Sequence, residues 1–130
     1  MEKYAKDLVI EANTLKNMVF QGILPATYAY RKDLASSLSS MKSLGVDISK
    51  TPEKISLDEL TGHVAHLQAA AEKLVTLVDK INSLDEDEQA IVAGIELTVA
   101  MDEVRIKADA VEAKTGDTFW SYPRYTELLF

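Results

Sequence analysis

Residues 56–81 read SLDELTGHVAHLQAAAEKLVTLVDKI. Within this stretch Leu57, Leu60, Val64, Leu67, Ala71, Leu74, Val78 and Ile81 recur in alternating steps of three and four. That spacing keeps one face of an α-helix apolar. At 1.5 Å per residue the seam extends for about 37 Å, and a seam of that length is buried only against other helices. Ser56, followed three residues later by Glu59, has the form of a capping box and places the start of this helix at Ser56.

On the N-terminal side, Leu8, Ala12, Leu15, Val19, Ile23, Ala26, Tyr30, Leu34, Leu38 and Met41 trace a similar stripe and predict a first long helix. Pro25 lacks the amide that would bond back to residue 21, and its ring presses on that carbonyl, so this helix is expected to kink or break near Gln21 to Leu24. Gly45 is placed to end it. Residues 46–55 carry Asp47, Ser49, Thr51 and Pro52 and have the composition of a linker.

On the C-terminal side, Asn82-Ser83-Leu84 closes the second helix. Asp85-Glu86-Asp87-Glu88 opens the third, where acidic side chains meet the positive end of the helix dipole. The third helix carries Ala90, Gly94, Leu97, Met101, Val104, Ala108 and Val111 as its core stripe, with Ile91 and Ile95 beside it, and ends near Lys114-Thr115-Gly116. Gly94 is expected to admit a neighbouring backbone. Connections this short make consecutive helices antiparallel. The fold expected is all-α: an antiparallel bundle of three long helices over residues 1–118, followed by a non-helical aromatic tail over residues 119–130.

Composition narrows the function. The 130 residues contain no cysteine, which removes disulfides, thiolate nucleophiles and cysteine-based zinc sites. A net charge of −7 and a pI near 4.8 argue against a phosphate-binding surface, and hence against a nucleic-acid partner. Apolar runs are only a few residues long, far below the ~20 that span a bilayer. No signal-peptide pattern opens the chain. A cytoplasmic protein without a membrane partner is expected.

Sites of chemistry are sparse. Glu59, His63 and His66 share a helix face and could in principle ligate a metal, but no third strong ligand from another helix is identifiable, so two boundary or surface histidines are the better expectation. The acidic run 85–88 lacks the alternation and glycine of a calcium loop. The serines between 36 and 43 have no nucleophile elbow, and the glycines form no phosphate loop. No catalytic, cofactor-binding or metal-binding residue is assigned. The tail is the least ordinary segment: Phe119, Trp120, Tyr122, Tyr125 and Phe130 put five aromatics in twelve residues, and Pro123 interrupts any helix. Apolar surface of this kind docks rather than staying in water. Trp120, Tyr122, Pro123, Tyr125, Leu128, Leu129 and Phe130 are therefore the candidate interface residues.

Two segments at opposite ends of the chain resemble one family. Ile10-Glu11-Ala12-Asn13-Thr14-Leu15-Lys16-Asn17-Met18 followed by Ile23-Leu24-Pro25-Ala26 is similar to the Glu-Ala-x-x-Leu helix and Ile-Leu-Pro-Ala of the C-terminal region of type III glutamine synthetases. Met101-Asp102-Glu103-Val104-Arg105, with Trp120, Pro123, Tyr125 and Leu128-Leu129-Phe130, resembles that family's ending, although Ser121-Tyr122 stands where a proline is usual. The resemblance implies a parent enzyme that joins ammonia to glutamate using ATP and a divalent metal, assembled as rings of subunits. Its catalytic segments are not in these residues, so the chain is expected to be non-catalytic and without a cofactor of its own. Its expected partners are the catalytic domain of the same polypeptide and neighbouring subunits of a homo-oligomer. An independent helical interaction module is the alternative.

Overall fold

The structure is a computed structural model that describes residues 2–116. These residues are all-helical, without a strand among them, and form three rods. The first joins α1 (Lys3–Met18) to α2 (Leu24–Ser43) through a π-turn over Val19–Ile23. The second is α3 (Pro52–Asn82). The third joins α4 (Glu86–Val92) to α5 (Thr98–Lys114) through a second π-turn, Ala93–Leu97. The expected tail and the boundary at residue 118 lie outside the described residues.

The first helix does not break at Pro25. Its backbone stays right-handed helical through Val19, Ile23 and Leu24, and the irregularity is the π-turn, in which the Leu24 amide donates to the Val19 carbonyl. Pro25 then falls in the first turn of α2, where a missing amide disturbs the hydrogen-bond ladder least. The two π-turns are finished alike. The buried Thr27 hydroxyl donates to the Ile23 carbonyl at 2.7 Å, and the Thr98 hydroxyl donates to the Gly94 carbonyl at 3.0 Å. Each threonine supplies a donor where the widened turn departs from the regular ladder.

The ends of the rods follow local chemistry. Gly45 has φ +85°, and the amides of Gly45 and Val46 donate to the carbonyls of Lys42 and Met41, a Schellman stop. The second helix starts five residues earlier than the Ser56 capping box suggests. Thr51 is the cap, its side chain accepting from the Lys54 amide at 3.4 Å, and Pro52 opens the helix. Proline at that position is pre-organised for helical φ and has no amide to leave unpaired. Asp85 caps α4 by accepting from the Glu88 amide at 3.0 Å. The buried Gln89 side chain reaches back to donate to the Ile81 carbonyl, tying the end of α3 to the start of the third rod.

One core runs through the three rods. From α3 it takes Leu60, Val64, Leu67, Ala71, Leu74, Val78 and Ile81, the expected seam apart from Leu57, which is only half-buried. The first rod adds Ala5, Val9, Ala12, Leu15, Val19, Ile23 and Leu24, and the third adds Ala93, Leu97, Ala100, Met101, Val104, Ala108 and Val111. Ile91 and Ile95 do not lie beside this core. They are 61% and 65% exposed, because the π-turn keeps Gln89, Ala93 and Leu97 inward and sends the isoleucines to the far side. Gly94 meets no backbone either: a Cβ built on it would lie 3.5 Å from the Tyr4 ring, an ordinary contact.

Candidate functional site

Ion pairs stitch the rods together along their flanks. Lys114 meets Glu59 at 2.8 Å, Lys73 approaches Glu103 at 3.7 Å, and Lys80 approaches Glu96 at 3.8 Å. Arg105, largely shielded from solvent, binds Glu11 of the first rod and Asp102 of its own helix, the latter at 3.0 Å. Glu11 and Arg105 belong to the two sequence segments that resemble glutamine synthetase. Separated by most of the chain, they are joined in the fold by a charge-assisted contact.

Among the described residues Glu59, His63 and His66 do not form a group that could hold a metal ion. Glu59 is engaged by Lys114, whose hydrogen bond and charge hold its carboxyl below the ordinary range, with a smaller push from His63. His66 is exposed and His63 half-buried. Among the described residues no three His, Asp or Glu side chains are grouped closely enough to hold a cation. The candidate interface residues Trp120, Tyr122, Pro123, Tyr125, Leu128, Leu129 and Phe130 lie outside the described residues.

Two features absent from the sequence-based expectations stand out instead. The first is Asp109 on α5, whose Oδ1 is buried without a hydrogen-bond partner. Burial raises its carboxyl above the ordinary value of 3.8. The folded state therefore holds this proton more tightly than the unfolded chain does, so the residue is least costly below the unfolded pKa and its cost grows as pH rises through the carboxylate range. Asp109→Asn is expected to raise Tm at pH 7 and to leave it nearly unchanged at pH 3, in thermal melts at matched ionic strength. Equal shifts at both pH values would show that the charge is not the cause.

The second is an apolar stripe on the outer face of the third rod. Ile95, Val99 and Ile106 are 65%, 66% and 65% exposed, and Ile91 continues the line one turn earlier. Beside them an open groove of about 540 Å³ separates α3 from the third rod, with Leu77, Ile95, Val99 and Ala100 in its lining. The ion pairs Lys73–Glu103 and Lys80–Glu96 cross the same region. The signal for this stripe is visible in the sequence as a second three-four register, Ile95-Val99-Asp102-Ile106, masked by the charged residue at its third position. Among the described residues no helix is long and apolar enough to cross a membrane, so the stripe is not part of a span.

Comparison with known proteins agrees with the resemblance. The profile of the family described as "Glutamine synthetase C-terminal domain" matches residues 1–42, which contain the first of the two segments. The type-3 glutamine synthetase of Dictyostelium discoideum is 31% identical over 134 residues, covering 99% of this chain and 18% of that protein. The glutamine synthetase of Butyrivibrio fibrisolvens is 31% identical over 131 residues, covering 100% of this chain and 19% of its own length. That of Bacteroides fragilis (strain YCH46) is 27% identical over 135 residues, covering 100% and 18%. No solved structure matches the chain significantly. The chain thus spans less than a fifth of the length of these relatives while aligning with them from end to end, and it belongs to the family of C-terminal domains of type-3 glutamine synthetases.

Proposed function

We propose that this chain is a non-catalytic helical domain of a type-3 glutamine synthetase and contributes packing or subunit assembly to the parent enzyme. The observation that carries the proposal is the coverage: the relatives align along the whole chain, yet about four-fifths of each lies outside it. In this proposal the ligation of ammonia to glutamate, with ATP and a divalent metal, belongs to that remaining part, in a cytoplasmic homo-oligomer. The partners of the domain are the catalytic part of its own polypeptide and neighbouring subunits, with no nucleic acid and no membrane.

The same proposal takes the bundle as antiparallel. Its support is the order of the pairs between α3 and α5 or its π-turn: Glu59 with Lys114, Lys73 with Glu103, Lys80 with Glu96. Residue numbers rise on one rod as they fall on the other.

The tail is proposed as the anchor, with Trp120, Tyr122, Pro123, Tyr125, Leu128, Leu129 and Phe130 as its interface residues. Aromatic side chains in a desolvated contact dominate interface energetics, each costing on the order of 2 kcal/mol or more when truncated. Deleting residues 119–130 from the full-length enzyme is expected to shift its mass toward smaller species by light scattering and to lower glutamine formation. An enzyme unchanged in both mass and activity would remove the anchor role.

A further inference from the structure

The third rod carries two core registers in its sequence, and the structure uses one of them. Ala90, Gly94, Leu97, Met101 and Val104 alternate steps of four and three, a spacing that an unbroken α-helix keeps on one face. The observed core instead follows Gln89, Ala93, Leu97 and Met101, whose three successive steps of four are accommodated by the π-turn at Ala93–Leu97. The two lines merge at Leu97. They differ in the rotation of the segment before it, by about 100°, the turn of one helical residue.

Little holds α4 in the register it has. Gln89 is its buried residue, fixed by the 3.0 Å hydrogen bond that its side chain donates to the Ile81 carbonyl. Rotation into the other register withdraws Gln89 and the half-buried Val92, keeps Ala93 inward, and carries the half-buried Ala90 and Gly94 further in. The Asp85 cap bonds to Glu88 within the same segment and travels with it. Removing the π-turn lengthens the helix by about 1.5 Å, which the connection at residues 83–85 takes up. The first rod has no such freedom. Its π-turn is preceded by α1, where Ala5, Val9, Ala12 and Leu15 are all buried, so the same rotation would pull four core side chains out of place.

We propose that α4 is a two-register element, which exchanges between the π-turned form and a regular helix rotated by about 100°. The hydrogen bond from Gln89 to the Ile81 carbonyl is the latch that favours the first form. Helix register shifts run on the microsecond to millisecond scale. A contact that meets α4 in one register better than in the other shifts the balance by that difference in affinity. The start of the third rod is therefore the place where a neighbour of the domain can change its shape.

Relaxation dispersion and saturation-transfer NMR on the 130-residue chain test this in three forms. In the unaltered chain, exchange is expected at residues 86–97, with minor-state α-carbon shifts typical of regular helix. Gln89→Ala removes the latch and is expected to raise the minor population roughly five-fold, the net worth of one hydrogen bond. Deleting Glu96 removes the surplus residue while leaving Gln89 on the inner face, and is expected to abolish the exchange. The proposal fails if neither the unaltered chain nor Gln89→Ala exchanges, or if the minor state shows random-coil shifts, which report fraying. It fails equally if Gln89→Ala leaves the population unchanged, or if the exchange survives the deletion undiminished. The unaltered chain and the deletion decide the matter between them should Gln89→Ala not fold.

Discussion

One alanine inserted between Ala70 and Ala71 is expected to abolish cooperative folding, whereas deletion of Glu96 leaves the domain folded. Each helical residue turns the chain by about 100°. An insertion in the middle of α3 therefore swings Ala71, Leu74, Val78 and Ile81 away from the face that holds Leu60, Val64 and Leu67. All of these are buried, and exposing an aliphatic side chain costs about 1.5–3 kcal/mol. Losing half of the seam removes on the order of 5–10 kcal/mol, comparable with the whole stability of a domain. A new π-turn would be needed to absorb the extra residue.

Glu96 is the opposite case. It lies in the π-turn Ala93–Leu97, is exposed, and makes only a 3.8 Å approach to Lys80, a surface contact of small worth. Removing one residue there converts the turn to regular α-helix with the faces before and after it still aligned. Urea and thermal unfolding followed by circular dichroism read both variants. A cooperative transition near that of the parent chain in the insertion variant, or none in the deletion variant, would refute this account of the two rods.

Leu67→Ala is expected to destabilise the domain by about 3 kcal/mol, within the range for a fully buried leucine that leaves a cavity. For a domain of this size that corresponds to a fall in Tm of about 10 °C. Leu67 sits mid-seam with no exposure, where neighbours from other rods cannot collapse without moving a helix. Leu57→Ala, one member of the same sequence seam, is expected to cost below ~1 kcal/mol. Leu57 is half-buried and lies outside the core cluster. Denaturant unfolding of both variants distinguishes a true core seam from a merely periodic one, and similar losses at the two positions would contradict the burial pattern.

The second rod was almost fully legible because its alternation of three and four steps matches the helical repeat without a remainder large enough to matter. Gly45, Asp85 and Lys114 marked ends through chemistry that acts within a turn of the residue concerned. The start of the rod was misread because two capping signals lie five residues apart. The Thr51-Pro52 pair prevails over Ser56 and Glu59 since residues from Pro52 onward can all continue the helix.

The first and third rods were less legible, for a reason written in their spacing. Leu15-Val19-Ile23-Thr27 and Gln89-Ala93-Leu97-Met101 each step by four three times in succession, and all eight residues are buried. Every step of four overshoots a full turn by about 40°, so three accumulate about 120°, close to one surplus residue. A π-turn absorbs that surplus. The signal is hard to see because one member of each run, Thr27 or Gln89, is polar and drops out of a hydrophobic pattern.

Sequence by itself determined the helical class, the principal seam, most helix ends and, through two short segments, the family. Those features depend on local periodicity, capping chemistry and residue identity. Only the tertiary structure decided which apolar residues face the core and which face outward, that Glu11 and Arg105 meet, and that Ile95, Val99 and Ile106 form an uncovered outer seam. Burial is a property of what lies opposite a side chain, and a helix with two apolar faces does not state in its own sequence which of them its neighbours will cover.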